Sequence, residues 1–92
     1  MAYKLLIVED EKEKATGIAY LTGKYNPECR PVLLAHDGRE GYEKAVAEQP
    51  DIIVTDIRMP EMDGLEMIRE LKKAGCSAEF IVLSGYAEFS YA

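Results

Sequence analysis

Positive charge is scarce in this sequence: 11 Lys and Arg stand against 17 Asp and Glu, a net charge of −6 over 92 residues. Nucleic-acid binding through this segment needs a basic face and is excluded on that ground. Histidine occurs once, at His36, and cysteine twice, at Cys29 and Cys76. Their spacing makes no zinc site, and two reduced thiols fit a cytoplasmic protein. No apolar run approaches the ~20 residues of a membrane span. The N-terminal "MAYKLLIVEDE" is no signal peptide, because its apolar run is too short and acids follow it at once. Internal repeats, low-complexity tracts and linkers are also missing. What is present is one domain, residues 1–92, with the 48% hydrophobic and 30% charged content of a soluble globular fold.

Four short apolar runs organise the chain: Leu5 to Val8, Val32 to Ala35, Ile52 to Val54 and Phe80 to Leu83. None alternates with polar residues, so each reads as a strand buried on both faces of a parallel sheet. Helical spacing fills the gaps. Ala15, Ile18, Leu21 and Tyr25 form one stripe, interrupted by Gly17. Gly38 reads as a breaker, followed by Tyr42, Ala45 and Val46 on a common face. In the third segment Asp63 and Glu66 form a capping-box pattern, Leu65, Ile68, Leu71 and Ala74 a stripe, and Gly75 a stop. The β-α-β-α-β-α-β pattern predicts an α/β fold, a doubly wound flavodoxin-like parallel sheet of order 2-1-3-4. Ligands in such sheets bind beyond the carboxyl ends of the strands, at the switch point.

Three strand ends converge on that edge. The first strand ends in Glu9-Asp10-Glu11, the third in Asp56 and the fourth in Ser84-Gly85. Asp10 and Asp56 are 46 positions apart (56 − 10), yet neighbouring strands bring them within a few ångströms. Their repulsion requires a shared proton or a cation. A small hard dication such as Mg²⁺, held by carboxylates and a carbonyl of the next loop, fits better than zinc. Asp56 would then be placed to receive a phosphoryl group, with Ser84 offering a hydroxyl to it. Each residue also has a plainer reading. Asp10 with Glu13 is a capping-box pattern, Asp56 suits a turn, Glu9 a solvated strand end, and Asp63-Gly64 a cap and turn.

"LLIVEDE", "PDIIVTDIRMPEMDGLEMI" and "IVLSGY" resemble the receiver (CheY-like) domains of bacterial two-component response regulators. The resemblance implies that Asp56 is the phosphoacceptor, taking its phosphoryl group from a sensor histidine kinase. It implies that Glu9 and Asp10 hold Mg²⁺ together with Asp56 and the backbone carbonyl of Arg58. Ser84 matches the hydroxyl residue that contacts the phosphoryl group. The tail "SGYAEFSYA" is similar to receivers joined to helix-turn-helix transcription factors, implying a DNA-binding output domain in a longer parent.

Family members continue through a fifth strand and fifth helix, and that strand carries a lysine that pairs with the phosphoryl group. This sequence stops at Ala92, and Lys72 and Lys73 fall on the wrong edge to replace it. The resemblance therefore implies a receiver truncated at its C-terminus, or part of a longer regulator. An alternative function is a pseudo-receiver that binds proteins without being phosphorylated. A phosphohydrolase would carry an acid/base aspartate at position 58, where this chain has Arg58. Loss of the fifth strand would expose the fourth, so the 92 residues alone are expected to self-associate through that edge or to fold poorly. Sedimentation showing a stable monomer, together with a cooperative melt, would contradict this.

Overall fold

β-branched and aliphatic runs give the sheet its strands, and a computed structural model describes residues 1–83 of the chain. The elements are β1 (Tyr3–Val8), α1 (Lys12–Tyr25), β2 (Cys29–Ala35), α2 (Gly38–Glu48), β3 (Ile52–Asp56), α3 (Gly64–Lys73) and β4 (Glu79–Leu83). All pairings are parallel and the order is β2-β1-β3-β4, the doubly wound arrangement expected from the sequence. The Ser84 and Gly85 expectations fall outside the described residues.

The non-alternating strands have a simple physical cause. In β1, Leu6 and Val8 face one way and Leu5 and Ile7 the other, and all four are buried. Leu6 and Val8 join Ala45 of α2 and Met67 and Leu71 of α3 in one apolar layer. Leu5, Ile7 and Val54 pack with Ile18 and Ala19 of α1 in the other. One helix thus covers one face and two helices cover the opposite face. Period-two alternation of side chains across a strand makes both layers from a single apolar run.

The helices differ from their expected stripes in instructive ways. Leu21 and Tyr25 of α1 are 52% and 67% exposed, while Ala15 of the same stripe is buried and Ile18 packs half-buried against the sheet. Its inward face is narrower than an aliphatic count suggests. In α3, Leu71 of the expected stripe is fully buried and Ile68 half-buried, but Leu65 is half exposed and Met67, outside that stripe, is fully buried. Val46 is exposed in the same way, leaving Ala45 as the core residue of α2. Asp63 does cap α3, accepting from the Glu66 N–H at 2.8 Å. Gly75 follows that helix at φ +88°, a conformation that favours glycine. In β4, Ile81 and Val82 are 50% and 37% exposed. No described helix is long and apolar enough to cross a membrane.

Gly38 does not break a helix. It opens α2 behind the Asp37 cap, whose side chain accepts from the Glu40 N–H at 2.8 Å. A Cβ on Gly38 would sit 1.8 Å from the Met62 carbonyl oxygen, so only hydrogen fits between α2 and the β3–α3 loop. Gly17, in contrast, is in mid-helix with open space around it. Alanine at the two positions is therefore expected to act with opposite signs. Gly38→Ala should destabilise by about 1–3 kcal/mol through overpacking, and Gly17→Ala should stabilise by roughly 0.5–1 kcal/mol through helix propensity. Urea unfolding of both variants checks this; a neutral Gly38→Ala would contradict the contact.

Candidate functional site

The carboxyl ends of β1 and β3 deliver the acidic residues to one place. β1 is paired with β3 in register, Val8 opposite Thr55, so the residues that follow each strand emerge side by side. Glu9 prolongs the sheet by donating its N–H to the Ala35 carbonyl at 2.9 Å. Its side chain is then only 1% exposed, an uncommon burial for a carboxylate. Asp10 is exposed and Asp56 is partly buried, and one carboxylate oxygen from each of Glu9, Asp10 and Asp56 lies within 4.8 Å of the others.

Backbone geometry holds two of the three in place. The Glu11 N–H donates to Glu9 Oε2 at 3.0 Å, and the Ile57 N–H donates to Asp56 Oδ1 at 2.8 Å. Thr55 Oγ1 donates to the Asp56 carbonyl at 2.8 Å. Gly64, the first residue of α3, approaches so closely that a Cβ there would lie 2.0 Å from that same carbonyl oxygen. Its N–H donates to the Ile57 carbonyl at 2.7 Å, closing the β3–α3 loop back on the end of β3. Asp63-Gly64, read from sequence as a cap and turn, is thus also what seats α3 against Asp56.

Asp10 does not cap α1. The N-cap residue is Glu11, and it makes no side-chain capping bond. The Asp10–Glu13 capping box is therefore not formed, and Asp10 is left to the acidic cluster. Arg58 lies two residues beyond Asp56, exposed in the β3–α3 loop.

A residue with no assigned role in the sequence reading completes the site. Lys14 Nζ is 3.5 Å from Glu9 Oε1 and 3.6 Å from Asp56 Oδ2. A signal for it exists in "EDEKEK": side chains in a first helical turn point back toward the N-terminus, here toward the carboxyl edge. Burial disfavours the Lys14 ammonium, but the Glu9 and Asp56 charges outweigh that effect and hold its pKa above 10.5.

Glu9 carries the main electrostatic cost. Burial pushes its carboxyl above the ordinary 4.5; the Glu11 N–H opposes this, Asp56 adds to it, and Lys14 opposes it. Among the described residues Glu9 Oε1 is buried and receives no hydrogen bond. Such an atom needs a partner. An all-oxygen donor set around it suits a hard dication, and the cluster has no sulfur or imidazole to favour zinc.

A raised carboxyl pKa means the fold prefers protonated Glu9, so this contribution to stability is complete below about 4.5 and is lost as pH rises through the folded pKa. Glu9→Gln escapes that loss. Without metal the variant is expected to be more stable than wild type at neutral pH by about 1 kcal/mol, the advantage shrinking toward acid pH. Urea unfolding with a chelator across pH measures it, and a destabilised variant at neutral pH would contradict the assignment.

Comparison with known proteins agrees with this geometry. The family model described as "Response regulator receiver domain" matches residues 5–92. An uncharacterized transcriptional regulatory protein, YesN of Bacillus subtilis, is 42% identical over 90 residues, covering 98% of this chain and 24% of that protein. The alkaline phosphatase synthesis transcriptional regulatory protein PhoP of the same species is 32% identical over 88 residues, covering 96% and 35% respectively. The chain thus spans a quarter to about a third of these relatives' length. Among solved structures, the N-terminal domain of an uncharacterized protein from Wolinella succinogenes superposes with a TM-score of 0.84 at 38% identity. That match covers 98% of this chain and 70% of the other. A two-component transcriptional regulator AraC from Clostridium phytofermentans gives 0.82 at 33% identity, covering 99% and 73%. With the family match spanning all but the first four residues, this chain belongs to the response regulator receiver domains of two-component systems.

Proposed function

We propose that Asp56 is the phosphoacceptor and that Mg²⁺ is held by the side chains of Glu9, Asp10 and Asp56 with the backbone carbonyl of Arg58. The observation that carries this reading is the convergence of three carboxylate oxygens within 4.8 Å, one of them from the end of β3. Glu9 Oε1, buried and without a hydrogen bond among the described residues, supports it further, because a dication or its bound water would satisfy that atom. Bound Mg²⁺ supplies positive charge to the phosphoryl oxygens during transfer.

The chain's own residues do the rest. The Ile57 N–H holds Asp56 Oδ1, which leaves Oδ2 as the attacking oxygen. A phosphohistidine on a sensor kinase is the donor in this reading: the P–N bond breaks, a bond from phosphorus to Asp56 Oδ2 forms, and the leaving imidazole takes up a proton. Gly64 keeps α3 against the Asp56 backbone, fixing the nucleophile while the phosphoryl group arrives. Ser84 is assigned the hydroxyl that contacts the phosphoryl group, by its match to the family motif. Transcriptional output through a DNA-binding domain, by analogy with the named relatives, and a cytoplasmic location belong to the same proposal. The complete acidic cluster tells against the unphosphorylated pseudo-receiver.

Incubation with acetyl phosphate and Mg²⁺, followed by intact-mass and peptide mass spectrometry, tests the assignment. One acid-stable, base-labile phosphoryl group on Asp56 is expected, absent in Asp56→Asn and absent with chelator. Asp10→Asn is expected to weaken Mg²⁺ binding by at least about tenfold, the loss that even outer-shell partners cause. Modification at another residue, or undiminished modification in Asp56→Asn, would overturn the reading.

A further inference from the structure

We propose that the Lys14 ammonium is a tethered counter-ion that competes with the dication for Glu9 and Asp56, so that the metal-free pocket is closed by the protein's own cation. The inference rests on the dication reading above and adds a residue to it.

The first support is which oxygens Lys14 faces. Each carboxylate has one oxygen occupied by a backbone donor, Glu9 Oε2 by the Glu11 N–H and Asp56 Oδ1 by the Ile57 N–H. Lys14 Nζ lies 3.5 and 3.6 Å from the two other oxygens, Glu9 Oε1 and Asp56 Oδ2. These are the two oxygens left free by the backbone donors, and one of them is the proposed nucleophile. Mg²⁺ binds oxygen at about 2.1 Å. An ion bound there would lie within a few ångströms of an ammonium contacting the same two atoms, and the two cations would repel.

The second support is the position of Lys14 on its helix. It is the third residue of α1, in the turn where the helix dipole disfavours cations. A lysine there needs an outside anion to be stable, and its side chain, directed toward the helix N-terminus, finds two. The third support is the difference in exposure. The Lys14 side chain is 36% exposed, whereas Glu9 is 1% exposed. The ammonium can therefore leave toward solvent while the carboxylate stays, which is what exchange of one cation for another requires.

Calorimetric Mg²⁺ titration of the full chain, paired with thermal melts, tests this. Lys14→Met removes the charge and keeps the length; Lys14→Arg keeps the charge. Lys14→Met is expected to bind Mg²⁺ roughly three- to tenfold more tightly than wild type, the scale set by two partly exposed ion pairs. Lys14→Arg should stay close to wild type. In chelator, Lys14→Met should melt below wild type, and saturating Mg²⁺ should close the gap. A purely structural lysine would lower the melt without tightening metal binding. Wild type that binds Mg²⁺ with an affinity unchanged or weakened by Lys14→Met would overturn the counter-ion role and leave the dication reading standing. No Mg²⁺ binding by wild type or variant would overturn both.

Discussion

Repulsion among three carboxylates is the constraint around which this structure is arranged. Glu9, Asp10 and Asp56 present oxygens within 4.8 Å of one another, one of the residues fully buried. Two unit charges about 4 Å apart interact with an energy on the order of 4 kcal/mol at the effective dielectric of a protein surface. The chain offsets that cost with two backbone N–H groups and one ammonium, from Glu11, Ile57 and Lys14. Among the described residues these partners still leave Glu9 Oε1 without a hydrogen bond and its carboxyl harder to ionise than usual. A site that stays electrostatically unrelieved is one that a dication can stabilise strongly.

The sheet makes this arrangement inescapable. Parallel pairing of β1 and β3 puts their carboxyl ends on one edge, and two apolar layers hold the register. A one-residue slip of β1 would exchange its two layers, driving Leu6 and Val8 against α1 and Leu5 and Ile7 against α2 and α3, so the acids cannot drift apart without repacking both faces. Hydrogen-only contacts finish the placement. Gly38 admits the β3–α3 loop against α2, and Gly64 seats α3 on the Asp56 carbonyl. Packing thus stores part of the electrostatic cost that function then uses.

The strands and their order were legible because β-branched runs without alternation have few other meanings, and the crossover pattern leaves few topologies. The approach of Asp10 and Asp56 followed from that order, whereas Glu9 read equally well as a solvated strand end and proves buried, its place in the cluster implied only by the family resemblance. Helix faces were harder to read. Leu21, Tyr25 and Leu65 have the apolar character of core residues but point outward, while small Ala15, Ala45 and Gly41 are buried where helix and sheet approach closely. Side-chain size says little about which face wins when backbones are that near. Asp10 had a local sequence explanation as a cap, which α1 discards by starting on Glu11. Lys14 was hidden for a different reason. Its role depends on the direction of a long side chain across space, which residue spacing hints at but tertiary structure decides.

The most direct measurement is the anomalous scattering of a crystal grown with Mn²⁺ in place of Mg²⁺. The account requires a single peak bounded by Asp10 and Asp56, with the Lys14 ammonium withdrawn from Asp56 Oδ2. A fully occupied lattice showing no peak there, with Lys14 still bridging Glu9 and Asp56, would contradict it.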